Sequence, residues 1–300
     1  MPGFTSARML FADPLAQRLV LGLRLPRVLM DLLLGCALGA AGTVFQMIFS
    51  NPLVEPGFLG VSQGAAFGAA FCIVALTPHP AAVEASALVF AMAGLGASWA
   101  IARVIRYGGW ILRLVLAGIA VSAVFSAGIG LLKMAADPLS QLPDITFWLL
   151  GSLASTGWRD MAFAAPPALA GLVVVFLYRW KLNVLSLDER VAHSLGSAPG
   201  RERLLLLFSA TLATAAVVSV TGLVGWVGLM VPHASRRVFG ADAARALPGS
   251  LLMGALFVLL CDDAARTTLP AEIPLGILTA MIGAAAFLGL MAARRRERGG

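Results

Sequence analysis

The side chains that could do chemistry in this sequence are few, and their spacing forms no catalytic or metal-binding motif. The three histidines, His79, His193 and His233, are scattered, and no HExxH pattern occurs. The three cysteines form no CxxC pair, which argues against a metal or redox centre. No GxxxxGK[ST] loop for binding a nucleotide is present either. We therefore expect no catalytic residue, no metal site and no cofactor in this chain, so an intramembrane enzyme is a weak alternative.

The remaining charged groups of interest lie at the ends of apolar stretches. Arg24 and Arg27 frame the motif RLPR immediately before the first apolar stretch, and Arg266 follows Asp262 and Asp263 near the end of another. Arginines in such positions often only extend their head groups to the membrane interface. Asp262 and Asp263 lie four and three residues before Arg266, so we expect mutual neutralisation within the membrane. A second interpretation is a basic docking surface for an acidic partner.

A polar segment, 181–203, interrupts the apolar chain and carries the signals of a short helix. Ser186 and Glu189 have the spacing of a capping box, and Gly196 is suited to the position after a helix end. Leu187, Val191 and Leu195 recur at every fourth position and predict one apolar stripe. A helix this short and charged cannot cross a bilayer. It either packs on its own protein or presents the stripe to a partner.

The composition indicates that membrane-spanning helices must position these side chains. The chain has 300 residues, of which 59% are hydrophobic and 12% charged, and its mean hydropathy is +0.89. These values are typical of a polytopic membrane protein. We predict an all-α transmembrane bundle in one domain, residues 1–300. Its nine spans are predicted at 28–49, 59–77, 85–102, 112–133, 161–179, 204–221, 223–239, 249–265 and 274–292.

The distribution of basic residues predicts the orientation. Most of the 22 Lys and Arg residues fall on the side of the membrane that carries segment 181–203 and the C-terminus. The positive-inside rule therefore places both in the cytoplasm. Nine spans then leave residues 1–27 and their arginines outside as an interfacial segment, so either one span is miscounted or one helix before RLPR is missing.

Seven blocks of the sequence, in order, resemble the permeases that import iron chelates and cobalamin. These blocks are RLPR (24–27), NPLVEPGFLGVSQGAAFG (51–68), LVLAGIAVSAVF (114–125), FWLLGS (147–152), LSLDERVAHSLG (185–196), VGWVGLMVPHASR (224–236) and EIPLGILTAMIGAAAFL (272–288). Such permeases are the membrane subunits of type II ABC importers and normally have ten spans. The resemblance implies a subunit of the bacterial inner membrane that transports its ligand by ATP-driven alternating access.

The resemblance also implies partners and site residues. A second copy or a similar permease, two cytoplasmic ATPase subunits that bind ATP and magnesium, and a periplasmic binding protein would complete the importer, and no nucleic acid is implied. The positions implied for ATPase coupling are Leu187, Asp188, Glu189, Arg190, Val191, Leu195 and Gly196. Arg24, Arg27 and Arg266 match arginines that dock the binding protein.

The path through such an importer lies along the dimer axis. The resemblance implies that span 112–133 and an outside helix at 141–152, with Trp148, line this path. Trp110, Ile111 and Leu112 stand at the inner constriction, where the family often has small hydroxyl residues, so the gate differs here. We favour an iron chelate, siderophore or haem, as ligand because it is the commonest in the family. Cobalamin and a molybdate-type oxyanion remain alternatives, as does an ion-coupled secondary transporter.

Overall fold

The computed structural model describes residues 14–76 and 79–297, with side chains up to residue 290. Twelve α-helices and no strand are found in this described part. The helices are α1 (Pro14–Ile48), α2 (Val61–Ala75), α3 (Pro80–Val104), α4 (Trp110–Ala135), α5 (Gln141–Leu150), α6 (Trp158–Leu177), α7 (Arg179–Leu185), α8 (Glu189–Ser194), α9 (Pro199–Thr221), α10 (Val227–Phe239), α11 (Ala243–Thr267) and α12 (Leu275–Glu297). The all-α bundle is therefore confirmed.

Every predicted span contains a helix, but the helices differ in length. Six of those in the described part are long and apolar enough to cross a membrane, namely α1, α3, α4, α6, α9 and α11. The apolar helices Val61–Ala75 and Leu275–Leu290 are shorter. Helix α10 has only 13 residues, or about 20 Å, against a hydrocarbon core of about 30 Å. The segment predicted as a span at 223–239 is thus a short helix that follows non-helical backbone.

Helix α1 occupies the centre of the bundle. In its most apolar stretch 78% of the residues are buried, against 28% in α4 and in α6. The helix begins at Pro14, contains one π-helical turn at Val20–Arg24 and continues unbroken into the first predicted span. Residues 14–27, which we expected to form a separate outside segment, therefore belong to the same helix as that span. The first 13 residues of the predicted 1–27 segment lie outside the described residues.

Three glycines allow α1 to touch its neighbours through the backbone. A Cβ atom built on Gly35 would overlap the carbonyl oxygen of Gly254 in α11, and one built on Gly39 would overlap that of Ser250. One built on Gly42 would overlap the carbonyl oxygen of Gly228 in α10. Small residues at helix crossings permit this closeness in lipid, where apolar burial drives helix association only weakly.

Polar side chains add hydrogen bonds where these backbones meet. The Thr43 hydroxyl donates to Ser250 Oγ at 2.8 Å. The Gln46 amide donates to the carbonyl oxygens of Gly228 at 3.2 Å and of Leu229 at 3.1 Å. Such bonds between membrane helices contribute about 0.6 kcal/mol each on average. They therefore supplement the close packing of α1 and do not replace it.

Gly39→Ala tests the close packing. The new methyl group cannot avoid the Ser250 carbonyl unless α11 moves, and overpacking of this kind costs about 1–3 kcal/mol. We expect a clear fall in melting temperature in detergent, measured by fluorescence-detected size-exclusion after heating. The matched control is Gly96→Ala in α3, where a Cβ atom meets no other heavy atom within 4 Å. Helix propensity favours alanine over glycine at both positions, so an equal loss in both variants would contradict the assignment of the loss to the crossing.

Candidate functional site

The polar segment 181–203 folds into two short helices, α7 and α8, before α9 begins at Pro199. Asp188 caps α8, because its side chain accepts a hydrogen bond from the Arg190 backbone N–H at 2.9 Å. Ser186 instead donates its hydroxyl hydrogen to the carbonyl oxygen of Asn183 at 2.8 Å, at the end of α7. The predicted capping box of Ser186 and Glu189 is therefore wrong, since the preceding helix engages the serine.

The predicted apolar stripe lies on the surface. Leu187, Val191 and Leu195 are 44%, 46% and 61% exposed. Only Val191 lies within α8, because Leu187 precedes the cap and Leu195 ends the helix. Gly196 follows with φ +77°, a conformation that favours glycine, as predicted. Asp188, Glu189 and Arg190 are exposed around this surface, so α8 presents apolar side chains with a charged border.

Hydrogen bonds attach α7 and the residue after it to the ends of two bundle helices. Ser50, just beyond α1, donates to the carbonyl oxygen of Ser186 at 3.3 Å. The Asn183 amide donates to Asp242 at 2.7 Å, and its oxygen accepts from the Ala243 backbone N–H at 2.9 Å. The Asn183 amide, together with the Ala244 backbone N–H, lowers the pKa of Asp242. A displacement of α7 would therefore act directly on α1 and α11.

Arg203 provides a third attachment that sequence reasoning missed. Its side chain is buried, and Nη2 donates to the carbonyl oxygen of Leu185 at 2.8 Å. The guanidinium also lies 5.8 Å from the ring centroid of Trp110, which stacks on Phe49. An arginine at the start of an apolar helix normally indicates an interfacial anchor, so nothing in the sequence distinguished it. In the structure it joins α7, α9 and the beginning of α4.

The residues predicted for the translocation path lie at two places. Trp110 and Ile111 are half-buried at the beginning of α4, and Leu112 is exposed. Trp148 lies on α5, the short helix predicted for 141–152, which ends at Leu150. It lines a cavity of about 400 Å³ together with Asp144, Phe147 and Ser152. The structure therefore places Trp148 on a different helix from the group at Trp110, and the role of both in a path stays a prediction.

The outer arginines are joined to carboxylates of the same chain. Arg27 forms ion pairs with Asp262 at 2.8 Å and with Glu272 at 3.0 Å, and its side chain is only 12% exposed. Arg266 pairs with Asp262 at 3.0 Å and with Asp263. The predicted neutralisation of Asp262 and Asp263 by Arg266 is confirmed, and Arg27 contributes to it. Arg24 is exposed on the same helix as Arg27.

Asp31, one turn beyond Arg27, is fully buried, and neither carboxylate oxygen makes a hydrogen bond within the described part of the chain. The arginine nearest to it in sequence, Arg27, forms its ion pairs with Asp262 and Glu272. Asp31 lies within electrostatic range of Asp262, Arg27 and Arg266, so it adds a buried carboxyl group to the same charge cluster.

Glu55 is a second group that sequence reasoning did not select. It follows α1 in the break before α2 and lines a cavity of about 170 Å³ with Ser62, Thr214 and Gly228. Burial raises the pKa of the Glu55 carboxyl group. Its position next to two prolines in NPLVEPG was the available signal, because broken helices often place polar groups at membrane depth.

The outer ion pairs predict unequal effects of two adjacent aspartates. Asp262 is buried and serves both Arg27 and Arg266, so Asp262→Asn leaves two guanidinium groups undercompensated, and losing one partner of a buried pair costs about 3–5 kcal/mol. Asp263 is 59% exposed, and a surface pair contributes about 0–1 kcal/mol. We expect Asp262→Asn to lower the melting temperature far more than Asp263→Asn. Equal losses would contradict a buried role for Asp262.

Glu55→Gln tests the half-buried carboxyl group. Because the pKa of Glu55 is raised in the folded protein, wild-type stability is lost as pH rises through that raised pKa. The neutral glutamine avoids this loss, so the variant should be more stable than wild type at pH 8, and the difference should shrink towards pH 4. Melting curves across this range measure it, with the exposed Glu189→Gln as control. A difference that does not change with pH would contradict the assignment.

Comparison with known proteins agrees with this architecture. Residues 3–293 match the FecCD transport family. A Helicobacter pylori protein, "Probable iron chelatin transport system permease protein", is 42% identical over 275 residues, which cover 91% of this chain and 82% of that protein. The hemin transport system permease protein HmuU of Yersinia pestis is 39% identical over 284 residues, covering 93% and 85%.

Two further relatives extend the comparison. The molybdate import system permease protein MolB of Haemophilus influenzae is 38% identical over 284 residues, covering 95% of this chain and 84% of that protein. A solved structure assigned to the metal-chelate type of ABC transporter, in an inward-facing conformation, superposes with a TM-score of 0.89 at 38% identity, covering 94% of this chain and 89% of the other. The chain is therefore a multi-pass membrane permease, and it belongs to the FecCD transport family.

Proposed function

We propose that this chain is the permease subunit of a binding-protein-dependent type II ABC importer that moves an iron chelate into the cytoplasm by ATP-driven alternating access. The observation that carries the proposal is the exposed apolar surface of Leu187, Val191 and Leu195, built on a segment that is hydrogen-bonded to the inner ends of α1, α9 and α11. A surface in this position can receive a partner's movement and transmit it to the bundle.

The partner at this surface would be a cytoplasmic ATPase, since this chain has no nucleotide-binding loop. The apolar side chains would enter a groove on the ATPase, with Asp188, Glu189 and Arg190 at its border. Arg203 would transmit a movement of this segment to α4, the helix proposed to line the path. Its side chain donates to the carbonyl oxygen of Leu185 and lies over Trp110 at the start of α4. The positive-inside rule supports a cytoplasmic location for this segment and for the C-terminus.

The periplasmic binding protein would dock at the opposite end, over Arg24, Arg27 and Arg266. Glu272 and Asp263, which pair with two of these arginines, are 44% and 59% exposed. Exposed ion pairs are weak, so acidic residues of a binding protein can replace these two carboxylates. Asp262 is 1% exposed and would stay in place to orient both guanidinium groups. Docking would therefore keep the buried arginines paired and release only carboxylates that water can solvate.

A second copy of the chain, or a similar permease, would complete the path. Helix α4 carries a run of exposed apolar side chains, including Ile119, Val124 and Leu131 at 54%, 71% and 69%. Helix α12 adds Met281 and Leu288, each 68% exposed. Two such faces can pair across a dimer axis and enclose the path between copies of α4.

The choice of an iron chelate is supported by the names of two relatives, an iron chelatin permease and a hemin permease. The cobalamin permease BtuC of Halobacterium salinarum, 37% identical, and MolB support the alternatives of cobalamin and molybdate. Asp262 is a poor site for the driving ion of a secondary transporter, because it is already neutralised by Arg27 and Arg266. The buried Asp31, whose carboxylate makes no hydrogen bond in the described part of the chain, is the remaining candidate for that alternative.

Leu187→Asp and Leu195→Asp test the coupling surface. A charge buried in an apolar groove without a partner is strongly unfavourable, so each variant should lose most of the ATPase stimulation that a ligand-loaded binding protein causes in the assembled importer. The measurement is ATP hydrolysis by the purified complex in detergent. Leu139→Asp is the control, because Leu139 is 90% exposed but lies in the loop between α4 and α5, outside the coupling segment. Undiminished stimulation in both coupling variants would overturn the assignment.

A further inference from the structure

A groove on the outer surface of the bundle lies between α3 and α9, near the same end of the molecule as the coupling segment. It has a volume of about 460 Å³ and is lined mainly by apolar side chains, including Met92, Leu95, Trp99, Leu205 and Phe208. Leu205 and Phe208 are 39% and 49% exposed. No part of the described chain fills this groove, and its apolar lining suits part of a hydrocarbon chain.

Gly96 opens the floor of the groove. It lies between Leu95 and Trp99 on α3, and a Cβ atom built on it would meet no heavy atom within 4 Å. The glycines that pack α1 against α11 leave no such space. The absence of a side chain at position 96 therefore serves no helix crossing in this chain, and it leaves room for a molecule from outside.

Positive charge is concentrated at the cytoplasmic end of the groove. Arg201 lines it, and the guanidinium of Arg103 lies 4.6 Å from the ring centroid of Trp99. Neither arginine has an ion pair or a side-chain hydrogen bond within the described part of the chain. Arg201 is the third residue of α9, a helix of 23 residues, so the helix dipole adds to the positive potential. The adjacent acid, Glu202, is held by Lys181 and Ser197.

These features match one kind of occupant. A second copy would cover the apolar side chains but would leave two arginines without counter-charge unless it also supplied acidic groups. A zwitterionic lipid would fill the groove without a net charge. An anionic lipid supplies both parts, because its phosphate lies at the interface, where arginine and tryptophan also lie.

We propose that an anionic glycerophospholipid of the inner leaflet binds here, with its phosphate between Arg103 and Arg201 and one acyl chain over Gly96. The site would attach a lipid to α9, the helix whose Arg203 holds the coupling segment. It does not depend on which ligand the permease transports.

Native mass spectrometry of the purified full-length chain, delipidated and titrated with phosphatidylglycerol or phosphatidylcholine of equal chain length, tests the proposal. We expect one phosphatidylglycerol to bind more tightly than phosphatidylcholine. Arg103→Ala combined with Arg201→Ala should weaken the first phosphatidylglycerol by about 30-fold, which follows from roughly 5-fold for each basic residue at an anionic surface. Gly96→Leu should weaken both lipids by filling the floor of the groove.

Arg245→Ala is the matched control. Arg245 is also exposed and is also the third residue of a long cytoplasmic-end helix, α11, but it lies away from the groove. It should leave the first lipid unchanged. Equal affinity for the two lipids in the wild-type chain would overturn the proposal, as would an unaltered affinity in Gly96→Leu. If Gly96→Leu changes the dimer fraction and not the lipid affinity, the groove is an interface with a second copy and the proposal fails.

Discussion

The close approach of α1 to α10 and α11 is the constraint on which the rest of the structure depends. At Gly35, Gly39 and Gly42 no side chain separates the backbones, and each glycine lies against a carbonyl oxygen of the neighbouring helix. Burial of apolar surface contributes little to the association of helices in lipid. Close van der Waals packing and hydrogen bonds must therefore stabilise the contacts between them. These glycines let neighbouring helices approach α1 closely, and α1 can therefore lie at the centre of the bundle.

The α1–α11 pair connects the two ends of the molecule. At the outer end, Arg27 of α1 is bound to Asp262 of α11. At the inner end, Ser50 beyond α1 and Ala243 at the start of α11 are both hydrogen-bonded to the coupling segment. Because the backbones are in close contact at Gly35 and Gly39 between these ends, the two helices are suited to move as one unit. In the proposed importer, the surfaces assigned to docking and to coupling would then respond to each other through this pair.

The charges of the outer surface are arranged by depth. Asp262 is buried between two arginines, whereas Glu272 and Asp263 lie at the surface and share the same arginines. A buried carboxylate keeps its arginine partners because separating them costs several kcal/mol, and a surface carboxylate exchanges readily. The arrangement compensates the arginines within the chain, and under the proposed function the surface carboxylates are the ones that an acidic partner would replace.

The sequence by itself determined the helices and the class of protein. Apolar runs long enough to cross a bilayer specify a helix wherever they occur, since a backbone in lipid must satisfy its own hydrogen bonds. The exposed stripe of Leu187, Val191 and Leu195 and the turn at Gly196 were predicted as well, because both depend only on nearby residues. The seven motif blocks indicated the family, which the comparisons confirmed.

Only the tertiary structure decided the partners of the polar groups. Arg27 and Asp262 are 235 positions apart in the chain, and Arg203 meets Trp110 and the carbonyl oxygen of Leu185 only after three helices pack together. The Ser186 hydroxyl could pair either with Glu189, as the capping prediction assumed, or with the end of α7. In the structure it donates to the carbonyl oxygen of Asn183 in α7. Local spacing specifies which helix a residue joins, whereas the pairing of buried charges and the shape of a groove depend on how distant helices meet.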